Sequence, residues 1–271
     1  MSEATAAGPY PRRWRPPPLI ADSRLRWALA LAALAYLTVG IGTIDVNWTR
    51  VAEGIPRAAR LLSGFLVPDF ASRWSDILDG MIESLTMTVT STVAGIALSV
   101  PFALGAARNL APTWLYLCCR GVIAFARAFQ EVIIAIFFVA MFGFGPLAGF
   151  LTLSLSTIGF LGKLLADDIE EADPSQLEAV RATGASWWQL VAWGVAPQVT
   201  PRLVGLSLYR FDINFRESAV VGIVGAGGIG ATLNTALDRY EFDDAAAILI
   251  LIIVIVMGCE YASSFIRGRI Q

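Results

Sequence analysis

No histidine occurs among the 271 residues. Its absence removes Ser-His-Asp and Cys-His catalysis, His-ligated metals and His-based pH sensing. Cysteine is scarce. Cys118, Cys119 and Cys259 form no CxxC pair and lie in apolar runs, so they read as small buried hydrophobes and not as a disulfide framework. Charge is scarce too. Asp, Glu, Lys and Arg make up 15% of the chain, against about 25% in soluble domains. The net charge is −2, so a nucleic-acid partner gets no electrostatic support. Apolar residues, by contrast, reach 56%, and mean hydropathy is +0.64. That content excludes disorder and points to an all-α, polytopic membrane bundle.

The apolar residues fall in runs long enough to span a membrane, which takes about 17–25 residues per helix. The first run, Trp27–Ile44, follows Arg12, Arg13, Arg15, Arg24 and Arg26. No A-x-A-like cleavage site follows it. It reads as an uncleaved anchor with a cytoplasmic N-terminus. The Pro/Arg-rich leader, residues 1–26, reads as poorly ordered. Residues 48–66 place Trp48, Val51, Ile55, Ala58, Leu62 and Phe65 at helical spacing among Arg50, Arg57 and Arg60. That pattern predicts an amphipathic helix on the periplasmic-side membrane surface, with a plain connector as the alternative. Residues 27–76 then hold the first span and this helix, and residues 77–271 the core. Five further spans are expected at Ile77–Ala107, Pro112–Phe142, Pro146–Leu165, Trp187–Leu208 and Ala245–Ile266. Six spans return Arg267 and Arg269 to the cytoplasmic side, in keeping with the positive-inside rule. An acidic loop, Asp167, Asp168, Glu170, Glu171 and Asp173, is expected on that side as well.

Between the fourth and fifth spans, residues 173–189 read DPSQLEAVRATGASWWQ. Asp173 suits a helix N-cap, Pro174 the first turn, and Gln176 completes a capping-box pattern. Gly184 suits a left-handed stop. Ser186 with Gln189 repeats the cap signal. The predicted product is a short charged helix ending at Gly184, from which the fifth span departs in a new direction. Such a knob fits a groove on a soluble partner. A capped loop with no partner is the alternative, and capping does not choose between them.

The wording of the string adds to this. Glu178-Ala179-Val180, three residues, Gly184, nine residues and Gly194-Val195-Ala196-Pro197 resembles the EAA signature (E-A-A, x3, G, x9, I-x-L-P) of bacterial ABC-importer permeases. Glu178, Ala179, Gly184 and Pro197 match. Val180, Gly194 and Ala196 depart with small or apolar residues. Within that type I family, the stretch Gly205–Gly230, with Arg127 and Glu131, most resembles permeases of phosphonate-type importers. The resemblance runs from about residue 75 to the C-terminus. It implies a type I permease fold with six transmembrane helices in the bacterial inner membrane, working as a homodimer. It also implies two cytoplasmic ABC ATPase subunits, which bind the ATP and Mg, and an extracytoplasmic substrate-binding protein. Residues 173–197 would form the coupling loop, with Glu178, Ala179, Arg181, Gly184, Ala185 and Pro197 receiving ATPase motion. The chain has no Walker A string. It is expected to be a transport subunit and no enzyme, without cofactor or metal of its own.

Gly225-Ala226-Gly227-Gly228-Ile229-Gly230 satisfies G-x-G-x-x-G, and Asp244 falls where a ribose-binding acid belongs. The dinucleotide reading is rejected, because the string lies between spans and too few residues remain for a parallel sheet. Gly225, Gly227, Gly228 and Gly230 instead permit close packing and irregular backbone at membrane depth. They predict a re-entrant or broken helix near a dimer axis, serving as a gate or packing element. Just ahead stand Arg210, Asp212, Asn214, Arg216, Glu217 and Ser218. An ionisable residue at the bilayer centre costs about 2.5–3.5 kcal/mol on insertion scales, so such residues face a cavity or pair with one another. Two readings follow. One is an interhelical salt-bridge cluster or extracytoplasmic loop. The other is the lining of a path for an oxyanion, whose shape suits the planar donors of arginine. Arg127 and Glu131 are expected four apart on one helix face. Their pairing supplies only about 0.2–0.5 kcal/mol, so further partners or a water-filled path are expected. Arg120, nearer the cytoplasmic end, is expected to snorkel.

The leading function is an ATP-driven importer permease for phosphonate- or phosphate-type oxyanions, working by alternating access. An importer permease for another small substrate, such as an amino acid, is the next reading. A secondary transporter is disfavoured, because no inverted repeat is evident. An intramembrane enzyme is disfavoured by the missing histidine and the few polar residues inside spans.

Overall fold

The computed structural model describes Ile20, residues 22–44 and residues 47–270, the last five of these by backbone only. Most of the leader, and the side chains of Arg267 and Arg269, lie outside the described residues. Two compact units are formed, Met1–Ala58 and Ala59–Gln271. No strand occurs among the described residues.

In the first unit, helix α1 (Ser23–Gly42) starts where the Asp22 carboxylate accepts the Arg24 N–H at 2.8 Å. Its side chains are exposed and apolar on every side, the pattern of a helix bathed in lipid. Helix α2 (Trp48–Gly64) sorts Trp48, Val51 and Ile55 onto a different face from Arg50, Glu53 and Arg57.

The second unit is built around α3 (Trp74–Gly105) and α6 (Pro146–Glu170). Their contact is lined by small and hydroxylated residues. Ser84, Thr88, Ser91, Thr92 and Ser99 of α3 are buried, as are Thr152, Ser154, Ser156 and Thr157 of α6. A Cβ at Gly95 would strike the Thr157 side chain, so the two backbones approach as closely as glycine allows. Most of these hydroxyls donate to a carbonyl in their own helix, as Thr88 does to Ser84 at 2.7 Å and Thr157 to Leu153 at 2.6 Å. The polar groups are thereby satisfied without water.

Around this pair lie α4 (Thr113–Ala128), α5 (Glu131–Phe142), α7 (Pro174–Ala182), α8 (Trp187–Gln189), α9 (Ala196–Val221), α10 (Gly228–Asp238) and α11 (Phe242–Ile270). One apolar cluster joins Ile123, Leu165, Ile169, Leu177, Leu190 and Val195 at the α7 end of the bundle. Another joins Ile77, Ile229, Leu233 and Ile248 at the α10 end.

Three expectations need correction. The stretch Pro112–Phe142 is not one straight span. Phe129 and Gln130 are extended, and α4 and α5 meet at 95°. The fifth span does not stop at Leu208, because helical backbone continues from Trp187 to Ala226 before a 57° bend into α10. Among the described residues, four unbroken helices are long and apolar enough to cross a membrane, and six spans result only if each bent pair counts as one. Finally, Asp167, Asp168 and Glu170 are no loop, since they form the last turn of α6. Arg120 bridges Asp167 and Glu170 at 3.1 Å each, Lys163 pairs with Asp167, and Arg202 meets Asp168 at 2.8 Å. These cations permit a helix to end in a cluster of carboxylates, which its macrodipole would otherwise oppose. Arg120 therefore does not snorkel. It also donates to the Ala106 carbonyl at 2.9 Å, clamping the end of α3 to that of α6.

Candidate functional site

The knob is α7. Asp173 caps it, accepting from the Ser175 N–H at 2.9 Å and the Ser175 hydroxyl at 2.8 Å. Those bonds hold the Asp173 carboxyl below its ordinary value. The reciprocal bond of a capping box is not made by Gln176, which donates weakly to the Asp173 carboxylate at 3.5 Å. The Asp173 N–H goes to Gln198 at 2.9 Å, a residue 25 positions on in α9. Gly184 ends the knob with φ +78°, a conformation that side chains resist. The second capping box, Ser186 with Gln189, is complete. Leu177 is buried against Gly194, where a Cβ would lie 3.0 Å from it. The departure from the EAA pattern at Gly194 thus makes room for the knob.

Glu178, Ala179, Arg181 and Gly184 are exposed, Ala185 is half-buried, and Pro197 lies exposed in the first turn of α9. Beside the knob, a groove of about 600 Å³ is lined by Ala179, Val180, Gly184, Ala185, Gln189 and Trp193. Trp193, which lines it, is exposed.

The charged residues of 210–218 lie on α9 and not on a connecting loop, with Arg210 and Asp212 buried and Arg216 exposed. Arg210 is buried. Its Nε donates to Thr157 at 3.1 Å and its Nη2 to Ser156 at 2.6 Å. The Ser156 hydroxyl donates in turn to Glu131 at 2.6 Å, while Arg210 and Glu131 stand 3.8 Å apart. Phe160 lies against the Arg210 guanidinium, 5.5 Å from ring centroid to Cζ. One turn on, Asn214 donates to Thr92 at 2.8 Å and Thr157 at 3.0 Å. Asp212 is buried and pairs with exposed Arg216 at 2.8 Å. Glu217 is half-buried, and Ser218 donates to the Phe215 carbonyl at 2.7 Å. The two arginines thus have different nearest partners, Arg210 the Ser156–Glu131 pair and Arg216 the Asp212 carboxylate.

The expected helix face shared by Arg127 and Glu131 does not exist, because the break at Phe129 separates them. Both instead line one cavity of about 290 Å³, with Gln130, Ser156, Phe160 and Arg210.

Helix α9 runs into a π-helical turn, Gly222–Ala226, and then breaks. Gly225, Gly227 and Gly228 have φ of +98°, +79° and +70°. At Gly222 a Cβ would lie 2.8 Å from the Gly230 Cα, and at Gly230 it would strike the Ala219 carbonyl. The chain reverses over itself with glycine against glycine. The new helix starts against α3, where Glu83 accepts the Gly228 N–H at 3.0 Å and Ser84 the Ile229 N–H at 2.9 Å. Asp244 accepts from the Ser72 hydroxyl at 2.6 Å. Among the described residues, no group of three or more Cys, Asp or Glu is placed to hold a metal.

Sequence reasoning missed Glu83, Ser84, Ser156, Thr157 and Gln198. No local signal marks them, because each of these contacts joins residues far apart in the chain.

Residues 99–270 match the family model of the binding-protein-dependent transport system inner membrane component. The chain belongs to that family. It is a multi-pass component of a membrane transport system. It is 45% identical over 250 residues to a phosphate-import permease protein of Mycolicibacterium smegmatis, covering 92% of this chain and 47% of the relative. The chain thus spans about half the length of that protein. It is 38% identical over 232 residues to a phosphite transport system permease protein of Stutzerimonas stutzeri, covering 85% of this chain and 83% of the relative. A chain of the inward-facing MetNI methionine ABC transporter has the same fold, with a TM-score of 0.64 at 22% identity over 72% of this chain and 96% of the other. The type I importer permease fold is therefore the fold of this chain.

Proposed function

We propose that this chain is the membrane-spanning permease of an ATP-driven ABC importer for phosphorus oxyanions of the phosphate, phosphite and phosphonate class. The observation that carries this reading is its likeness, over 85% of the chain or more, to permeases named for phosphate and phosphite transport. The rigid, doubly capped knob supports it. Two copies of the chain work as a pair, with two cytoplasmic ATPases seated on the α7 knobs and an extracytoplasmic binding protein delivering substrate. ATP and Mg belong to the ATPases. Both termini face the cytoplasm, and the leader and the α1–α2 region precede the permease core in the sequence.

In this reading, ATPase closure pushes α7 at Glu178, Ala179, Arg181 and Gly184. The push passes through Leu177, Gly194 and Gln198 to α9. Because α9 carries Arg210, Asn214 and the glycine break, moving it re-sides the polar path between the two faces. Sequence likeness to a methionine permease covers 46% of the chain, against 85% or more for the phosphate and phosphite permeases, so an amino-acid substrate has less support than an oxyanion.

The test is reconstitution of the complete transporter in proteoliposomes. ATP-dependent uptake of radiolabelled phosphate or methylphosphonate, dependent on the binding protein, is expected. Uptake of an amino acid instead, or ion-driven uptake without any ATPase, would replace this reading.

A further inference from the structure

The 95° break between α4 and α5 opens a cavity of about 290 Å³. That is at the small end of ligand pockets, which begin near about 300 Å³. Three donors converge there. Arg210 has a side chain only 3% exposed, and its Nη2 already binds Ser156. Arg127, in the last turn of α4, lines the same space. Helix α5 begins at the cavity wall with no side chain capping it, so its first N–H groups add the positive end of a helix dipole. A buried arginine surrounded by further donors is suited to a tetrahedral oxyanion.

One wall residue runs against this pattern. Glu131 places a carboxylate 3.8 Å from Arg210, held there by Ser156. Glu217 adds a second carboxylate within electrostatic reach of both. An ionised carboxylate only accepts hydrogen bonds. A site for a fully ionised anion gains nothing from such a group and is opposed by its charge. An anion that brings its own proton changes the sign of the contact. Its hydroxyl donates to Glu131 while its charged oxygens accept from Arg210 and Arg127, Ser156 keeping its own proton on Glu131.

We infer that this cavity is a binding site within the permease for a tetrahedral oxyanion that carries an acidic hydroxyl, and that Glu131 is its specificity-determining residue. The inference rests on the importer reading and names the substrate form its path accepts. Mono- and dihydrogenphosphate both carry such a hydroxyl near neutral pH, as does the monoanion of a phosphonate. Sulfate, with the same shape, does not.

The test uses the purified permease–ATPase complex without its binding protein, titrated with radiolabelled inorganic phosphate against sulfate as competitor. The unaltered complex binds phosphate and rejects sulfate by at least about tenfold. Glu131→Gln erases that preference, and Glu131→Asp keeps it. Arg127→Gln, at an exposed position, weakens phosphate binding about tenfold with the complex intact. A Glu131→Gln complex that still rejects sulfate overturns the inference. So does an unaltered complex that binds no phosphate, or unchanged affinity in Arg127→Gln. Should Glu131→Gln fail to assemble, the other two variants decide. The importer reading fails separately, if the complete transporter with its binding protein imports no phosphorus oxyanion.

Discussion

The Asp173 N–H donates to the side-chain oxygen of Gln198 at 2.9 Å. That bond ties the first residue of the knob to the first turns of α9. Gln198 also donates to the Gly194 carbonyl at 2.7 Å, and Leu177 fills the space that Gly194 leaves. Knob and helix therefore form one lever, whose far end carries Arg210, Asn214 and the glycine break.

Under the proposed function, loosening that connection is expected to uncouple transport before it unfolds the protein. Gln198→Ala leaves the Asp173 N–H to water and costs about 1 kcal/mol of local stability. Gly184→Pro is stronger, because proline cannot adopt φ +78°. Charge reversal with Glu178→Lys disturbs the exposed face alone. All three are expected to insert in the membrane and to lower uptake while ATP hydrolysis continues. Uptake that survives them, with ATPase stimulation intact, removes α7 from the coupling role.

Arg120 and Arg216 separate stability from transport. Arg120→Ala strips Asp167 and Glu170 of a half-buried partner. It is expected to cost about 1 kcal/mol or more, between the values for exposed and buried pairs, and to lower the melting temperature in detergent. Arg216 is exposed but partners buried Asp212, so Arg216→Lys, which keeps the charge and loses the planar fork, is expected to melt near the unaltered protein yet transport more slowly. Equal transport by the two variants, at equal membrane abundance, takes Arg216 off the path.

The crossing of Gly222 and Gly230 tolerates no side chain. Gly230→Val drives a branched side chain into the Ala219 carbonyl and is expected to destabilise by at least about 1–3 kcal/mol. Ser84→Ala, which removes an acceptor for the first turn of α10, is expected to cost about 1 kcal/mol. Thermal melts of the purified complex rank the two. A Gly230→Val protein as stable as the parent contradicts the close crossing.

The Asp173 cap predicts an acid response of the knob. Hydrogen bonds from Ser175 lower this carboxyl below its ordinary 3.8. A depressed value in the folded state means the cap is fully effective above 3.8 and is lost as pH falls through the folded value. Helix α7 is expected to keep its protection from neutral pH down to that region and then to fray. Asp173→Asn retains a capping oxygen but no titration, and should remove the pH dependence. Local spectroscopic probes on α7 read the difference.

Residue order alone established the membrane class, through apolar runs that have no other stable environment, and the knob, through caps and a glycine stop that act within a few residues. It also located the glycine break and the charges before it. Only the tertiary structure decided what those charges touch. Arg210 meets Glu131 through Ser156, and the Asp173 cap is completed by Gln198, because helices distant in the chain pack side by side. The break at Phe129 was equally hidden, since the apolar pattern of Pro112–Phe142 continues through it and hydropathy carries no direction. Local signals report what neighbouring residues prefer. A site assembled from four helices depends on how their faces rotate toward one another, which close packing settles only when the whole bundle is in place.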